Sequence, residues 1–81
     1  MPEDLKGKKV RVSMLVWEIN NYKPYLYEAI VAEVAGTMLL LTEMVTWPVR
    51  DKVPDTWVNS SSFLFNFVQE IEKDSDVTMV S

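Results

Sequence analysis

Apolar and polar residues alternate from Lys9 onward, and this alternation is the clearest pattern in the chain. The residues that would share one face are Val10, Val12, Met14 and Val16. A period of two in a segment rich in β-branched residues is typical of a half-buried strand. We therefore predict a strand from Lys9, preceded by a mostly polar, flexible arm at residues 1–8.

The alternation breaks at residues 20–24, which read Asn-Asn-Tyr-Lys-Pro. Asparagine tolerates turn conformations, and a proline disfavours the helical conformation in the residue before it. The pattern therefore predicts a loop between the first strand and the next element.

Residues 26–35 fit two structures. As a helix, they carry an apolar stripe formed by Tyr27, Ile30, Val31 and Val34. Gly36 would suit the end of that helix. However, Pro24 and the lack of an N-terminal cap argue against a helix, and Gly36 leads directly into apolar residues 38–42. We favour two strands joined by a tight turn at Gly36.

Residues 63–72 pose the same choice between helix and strand. A helical stripe would consist of Phe63, Leu64, Phe67, Val68 and Ile71. Phe65 would then point to the polar side of the helix, whereas a strand places it with the other phenylalanines. We favour a strand, which follows an irregular connection at 44–56, a short strand at 56–59 and a tight turn at serines 60–62.

Three segments carry a resemblance to a known architecture: GKKVRVSM at 7–14, YEAIVAEVAGTMLLLTE at 27–43 and WVNSSSFLFNFVQEIE at 57–72. Their order of strands and turns resembles that of the SH3-like and Sm-like small β-barrels. The resemblance implies short antiparallel strands that bend strongly around one core. The RNA-contacting pattern of Sm proteins is not matched, because Ala29, Leu39 and Asn59-Ser60 stand where that family has glycine, asparagine and Arg-Gly.

We therefore predict an all-β fold, a small five-stranded and strongly bent antiparallel barrel with a short 3₁₀ or helical turn near residues 60–64. The alternative is an α+β fold with helices at 26–35 and 61–72. The barrel would occupy residues 9–73, followed by a disordered tail at 74–81. A chain of 81 residues suits one such domain and is too short for two.

The residue types present exclude most catalytic and metal chemistry. The chain contains neither cysteine nor histidine. It therefore lacks the ligands of common zinc sites and the base of Ser-His and Cys-His nucleophile systems. We expect no enzyme activity, no catalytic or metal-binding residues and no cofactor.

Hydrophobic runs are short throughout the chain. None approaches the roughly 20 residues that span a bilayer, and the N-terminus has no apolar segment of signal-peptide length. We expect a soluble, cytoplasmic protein without membrane contact.

The net charge of −4 is unevenly distributed. A basic cluster near the N-terminus consists of Lys6, Lys8, Lys9 and Arg11. Because phosphate affinity comes from clustered lysine and arginine, it is a candidate anion or nucleic-acid patch. Binding of single-stranded nucleic acid is therefore the alternative function, although the acidic total disfavours it.

Aromatic residues at or beside the predicted loops form a candidate interaction surface, consisting of Trp17, Tyr22, Tyr25, Tyr27, Trp47 and Trp57. Such residues offer a large contact area at small entropic cost. As a strand, residues 25–34 would be apolar on both faces, which predicts contact with another subunit. We expect a non-catalytic protein-interaction module that forms homo-oligomers and binds a protein or peptide partner.

Overall fold

The chain forms one antiparallel β-sheet in the computed structural model, which describes residues 2–71. The elements are a 3₁₀ turn at Pro2–Leu5 and the strands β1 (Lys9–Glu18), β2 (Asn21–Ala35), β3 (Met38–Trp47), β4 (Lys52–Val53), β5 (Thr56–Asn59) and β6 (Phe65–Ile71). The all-β prediction is confirmed, with six strands where five were expected. The tail predicted at 74–81 lies outside the described residues.

The strands follow the chain closely in their order across the sheet. β3, β2, β1 and β6 are successive neighbours, and the far side of β3 is shared by β5 and β4. β5 pairs with β3 residues 38–41, and β4 pairs with residues 44 and 45. Within residues 2–71 no ladder joins β5 to β6. The resemblance to SH3-like and Sm-like barrels stays a prediction.

The core lies on one face of this sheet, which we call the inner face. Its buried apolar residues are Val10, Val12, Ala29, Val31, Leu39, Leu41, Met44 and Phe65. The described residues supply no second layer to cover them. Side chains as fully enclosed as Val12, Val31 and Leu41 can therefore be buried only if the sheet curves around them. The opposite side is the outer face.

A bulge in β2 decides which apolar side chains reach the core. Ala32 has no partner in β3, because the register shifts between Val31 and Glu33. An extra residue turns the following side chains to the opposite face. Val34 therefore packs against the core, and less apolar surface remains on the outer face of residues 25–34 than the alternation suggested.

The helices considered at 26–35 and 61–72 are wrong. The first segment is part of β2, which pairs with both β1 and β3, and residues 65–71 form β6 along the other side of β1. Backbone hydrogen bonds to neighbouring strands outweigh the local helix propensity of such segments. Phe65 is buried at the start of β6, as its place on a strand predicts.

The connection between β5 and β6 consists of tight turns. The Ser62 N–H donates to the Asn59 carbonyl at 3.0 Å, and the Phe65 N–H donates to the Ser62 carbonyl at 3.1 Å. The Asn59 side chain also accepts a bond from the Ser61 N–H at 2.9 Å. The helical turn expected near 60–64 is thus a pair of hydrogen-bonded turns, and the 3₁₀ turn lies at the N-terminus.

Residues 2–8, expected as a flexible arm, lie against the sheet. The Gly7 N–H donates to the Val31 carbonyl at 2.7 Å, and the Val31 N–H donates to the Lys8 carbonyl at 3.0 Å. Gly7 has a φ of 84°, which favours glycine at this position. Leu5 packs against the core, so this segment covers one end of it.

The loop expected at residues 20–24 is wrong, because β2 already begins at Asn21. Ile19 and Asn20 alone join β1 to β2. Alternate residues of an antiparallel pair turn their backbone N–H and C=O groups away from the partner strand. Pro24 occupies such a position, where its missing N–H breaks no bond within the hairpin.

Leu15, the residue opposite Pro24 in β1, also turns its backbone away from the partner strand. Leu15 pairs with Pro24, and its N–H donates to the Leu64 carbonyl at 2.8 Å, on the side away from β2. The backbone groups of both residues therefore point out of the hairpin, and the proline is compatible with a continuous strand.

Leu40 and Leu41 provide a test of the curved sheet, since they are neighbours in β3 on opposite faces. Leu41 is fully buried, whereas Leu40 is half-buried. Leu41→Ala should lower the free energy of unfolding by about 3 kcal/mol through lost burial and a cavity. Leu40→Ala should lower it by only about 1 kcal/mol. Urea denaturation measures both, and equal losses would contradict the assigned faces.

Candidate functional site

The β1–β2 hairpin extends beyond the strands on either side of it. β6 pairs with β1 only as far as Met14, and β3 pairs with β2 only from Leu26 onward. Residues 15–25 therefore form a two-stranded projection, which we call the arm. The molecule is correspondingly elongated, with principal extents of 46 × 30 × 19 Å.

The outer face of the arm is uncharged and largely apolar. It carries two cross-strand pairs, Leu15 with Pro24 and Trp17 with Tyr22. The Trp17 and Tyr22 rings meet edge to face with centroids 5.1 Å apart, and Phe63 meets Tyr22 at 5.6 Å. Trp17, Tyr22 and Phe63 are 60%, 44% and 69% exposed. Their mutual contacts thus hold an aromatic cluster in place while leaving it open to solvent.

Ile19 forms the tip of the arm in an unfavourable conformation. Its φ is 52°, and its side chain is 88% exposed. A left-handed conformation costs a residue with a Cβ roughly 1–2 kcal/mol, and it is a genuine outlier for a β-branched one. Hairpin turns of this length prefer glycine, asparagine or aspartate. Since burial within the chain does not offset this cost, Ile19 is a candidate contact residue.

The charges of the arm lie on its inner side. The Tyr25 hydroxyl donates to the Glu18 carboxylate, and the Lys23 Nζ lies 3.9 Å from the same carboxylate. The hydrogen bond to Glu18 raises the pKa of Tyr25 above its ordinary 10.0, with smaller contributions from burial and from the Glu18 charge. This grouping leaves the outer face of the arm neutral.

A buried carboxylate holds the outer face together at the base of the arm. Glu28 is 4% exposed. The Arg11 Nη2 donates to its Oε2 at 2.8 Å, and the Arg50 Nη1 donates to its Oε1 at 3.0 Å. Both guanidinium groups lie over the Trp47 ring, at 4.5 and 5.7 Å from its centroid. The loop after β3 is thereby attached to β1 and β2.

Opposing effects determine the ionisation of Glu28. Burial by itself raises the pKa of this carboxyl, but the hydrogen bonds from Arg11 and Arg50, together with their charges, outweigh it. The pKa of Glu28 therefore lies below its ordinary 4.5. A carboxylate held in this way is a structural anion near neutral pH and a poor proton donor.

An open pocket of about 430 Å³ lies where the arm meets the body of the sheet. It is lined by Pro24, Tyr25, Leu26, Thr46, Trp47, Val49 and Asp51. Most of this lining is apolar, and Val49 is 71% exposed. The pocket therefore continues the apolar outer face of the arm as far as Trp47.

A larger groove of about 950 Å³ lies on the other side of Arg50. Its charged lining residues are Lys9, Glu28, Glu43, Arg50, Lys52 and Asp55. Three are cations and three are anions, so their formal charges cancel. The groove consequently offers no net charge with which to attract an anion.

The structure places the predicted aromatic residues in different environments. Trp17 and Tyr22 form the exposed cluster with Phe63, whereas Tyr25 lies on the inner side of the arm. Tyr27 is half-buried beside the core, where burial, followed by the Glu18 charge, raises its pKa.

The two remaining tryptophans lie near opposite ends of β3. Trp47 packs against the arginines at the base of the arm. Trp57 is 48% exposed and pairs with Leu40, far along β3 from the residue that reaches Leu26. The aromatic set is therefore not one continuous surface.

The predicted basic cluster is largely paired with acids. Three of its four cations lie beside carboxylates: Lys6 by Glu33 at 3.4 Å, Lys8 by Glu70 at 3.4 Å and Arg11 by Glu28 at 2.8 Å. Lys9 lines the larger groove. Exposed ion pairs are individually weak, but they offset the positive field that a phosphate backbone would require.

Sequence reasoning missed several residues of this region. Phe63 and Val49 lie in turns, and their nearness to the arm depends on long-range strand pairing. Ile19 carries a local signal, since a lone apolar residue stands before Asn20 and Asn21 at the break in the alternation. Such a residue at a hairpin tip indicates exposure.

Within the described part of the chain, no helix has the length and hydrophobicity needed to cross a membrane. Residues 2–71 also contain no group of three or more acidic side chains arranged to hold a metal ion. Comparisons with models of protein families, with curated proteins and with solved structures find no match to this chain.

Replacement of Glu28 tests its role in joining the loop to the sheet. Glu28→Gln removes the charge that balances two arginines and should lower the free energy of unfolding by about 3 kcal/mol at pH 7. Glu33→Gln is the matched control, because the Lys6–Glu33 pair is more than half exposed and should contribute less than about 1 kcal/mol. Urea denaturation measures both variants, and equal losses would contradict the role assigned to Glu28.

The pH dependence of stability provides a second readout of the same carboxylate. Because the folded pKa of Glu28 is lowered, its contribution is complete above the ordinary value of 4.5 and disappears as the pH falls through the folded value. The stability difference between the wild type and Glu28→Gln should therefore shrink as the pH decreases below about 4.5. A difference that stays constant down to about pH 2 would contradict this sign.

Proposed function

We propose that this protein is a non-catalytic interaction module that associates with a second copy of itself through the outer face of its arm. The observation that carries the proposal is an exposed apolar surface with a definite shape, held by the contacts of Trp17, Tyr22 and Phe63. Exposed aromatic clusters of this kind are typical of binding surfaces.

The size of the surface suits a stable contact. The exposed apolar residues on the outer face of the arm, at its tip and around its base are Trp17, Ile19, Tyr22, Leu26, Val49 and Phe63. Taking about 150–250 Å² for a whole aromatic side chain and somewhat less for an aliphatic one, their exposed fractions amount to on the order of 700 Å². A standard protein interface buries roughly 800 Å² on each partner. One such face is therefore nearly sufficient for one interface.

The distribution of charge favours a second copy as the partner. Two copies of a chain with a net charge of −4 repel each other over most of their surfaces. A symmetric contact brings the same surface of both copies together, so a charged patch would face its own charges. The outer face of the arm is uncharged, which avoids this cost.

The contact would be made by side chains rather than by added backbone pairing. Along the arm, the free edge of β2 presents the backbone of Tyr22 and Pro24, and Pro24 has no N–H to donate. A proline on an edge strand discourages the addition of another strand. Binding of single-stranded nucleic acid, the alternative function, receives no support from the paired basic cluster.

Sedimentation equilibrium of the full chain tests the proposal. The wild type should show a reversible dimer, and Trp17→Lys should weaken it by about thirtyfold or more, as expected for an aromatic residue central to an interface. Trp57→Lys is the matched control, since Trp57 is similarly exposed but lies away from the arm and should leave dimerisation unchanged.

Folding of each variant is checked by circular dichroism and urea denaturation. A wild type that remains monomeric at millimolar concentration would refute the proposal. Equal weakening by the two tryptophan substitutions would place the contact elsewhere on the molecule.

A further inference from the structure

The geometry points to a reciprocal contact within this pair, in which Ile19 at the tip of each arm enters the apolar pocket at the base of the other arm. This contact presupposes the proposed self-association and specifies which residues of the two copies touch. The pocket is the one bordered by Leu26, Trp47 and Val49.

Ile19 has the properties of an inserting residue. It is 88% exposed and holds a left-handed conformation that asparagine or glycine adopts more readily. Both the exposure and the conformation are unfavourable in an isolated chain. Burial of the isoleucine side chain in a partner offsets the conformational cost, because removing an aliphatic side chain from water contributes at least as much as a left-handed conformation costs.

The pocket has the properties of a receiving site. Its volume of about 430 Å³ admits an isoleucine side chain, and its walls come from two strands and the loop after β3. The loop is attached to the sheet through the bond from Arg50 to Glu28. The pocket is therefore formed before any partner arrives, which limits the ordering cost of binding.

The length of the arm brings tip and pocket together. From Asn21, which follows the tip, to Leu26 the strand advances five residues, or roughly 17 Å at about 3.3 Å per residue. When two arms pack antiparallel through their outer faces, the tip of each lies beside the base of the other. The same rotation that places one isoleucine also places the second, so the pair is closed and does not extend into a filament.

The polar groups around the two sites are also compatible. Asp51 is the charged residue in the lining of the pocket, and its backbone N–H donates to the Thr46 hydroxyl at 2.9 Å. Asn20 and Asn21 follow the inserting residue and carry side-chain amides that can donate to a carboxylate. An arriving tip would therefore bring hydrogen-bond donors to Asp51.

Disulfide trapping tests the contact directly, because the chain has no cysteine of its own. Ile19→Cys and Val49→Cys are prepared as separate single variants, one of them isotopically labelled, and are mixed under mild oxidation. Within one chain Val49 borders the pocket at the base of the arm, roughly 17 Å from the tip by strand geometry, which is too far for a disulfide. Non-reducing gels and mass spectrometry should show mixed 19–49 dimers in at least about tenfold excess over 19–19 and 49–49 dimers.

Trp57→Cys, combined with Ile19→Cys, is the matched control and should give no preferred mixed product. Predominant 19–19 dimers would overturn the inference, because they indicate contact between two tips. Equal yields of mixed product from the Val49→Cys and Trp57→Cys variants would overturn it as well, because they indicate random collision.

Ile19→Gly separates the inference from the proposed function. Glycine relieves the backbone conformation, so the variant should unfold at the same or a higher urea concentration, while its dimer should be at least about tenfold weaker than that of the wild type. An undiminished dimer overturns the role of Ile19 and leaves self-association standing. A monomeric wild type that co-sediments with phosphatidylcholine vesicles overturns both and assigns the tip to a lipid surface.

Discussion

The fold depends on one constraint, which is that a single sheet must bury its own core. Apart from the 3₁₀ turn at Pro2–Leu5, which covers one end of the core, the described residues contain no helix or second sheet, so the strands have to curve around Val12, Val31 and Leu41. Small domains bury a modest fraction of their surface, and each enclosed side chain contributes substantially to a small total stability. The bulge at Ala32 serves the same constraint, since it redirects Val34 into the core. β6 pairs with β1 only up to Met14, and β3 pairs with β2 only from Leu26. The part of the β1–β2 hairpin beyond these residues has no neighbouring strand and forms the arm.

The core lies on the inner face, and on the outer face charged hydrogen bonds to Glu28 join the strands to the loop after β3. Glu28 stands where an apolar residue would be expected on a strand with two apolar faces, and it joins Arg11 of β1 to Arg50 of the loop. Removing a carboxylate from water is costly, and two hydrogen-bonded guanidinium groups stacked on Trp47 offset that cost. This arrangement gives the loop a definite position. Arg50 and Glu28 line the groove whose charges cancel, whereas Trp47 and Val49 line the apolar pocket.

The sequence predicts the strands more readily than it predicts the surface. Alternation from Lys9 and the turn at Gly36 are local signals, and the strands they indicate are present. The loop predicted at residues 20–24 is wrong because it rests on Asn20, Asn21 and Pro24 as strand breakers. A strand accepts proline where the backbone faces away from its partner, as it does at Pro24. Whether each aromatic side chain is exposed or buried depends on how far β3 and β6 extend along the hairpin, and no local sequence pattern determines this. The Glu28–Arg50 bond spans 22 residues, and the run Arg50-Asp51-Lys52 resembles any solvated connection.

Pro24 and Ile19 are the two residues of the arm that depart most from local preference, and their effects on its surface are complementary. Pro24 prevents an N–H from being offered along the free edge of β2, and an open edge is a general hazard for a projecting hairpin. Ile19 does the opposite, because it exposes apolar surface at a position where glycine or asparagine would be more stable. Departures from local preference tend to concentrate where a protein meets its ligand. The arm therefore discourages contact through the backbone at Pro24 and exposes apolar side chains instead, and in the proposed dimer this combination favours one defined arrangement of the two copies.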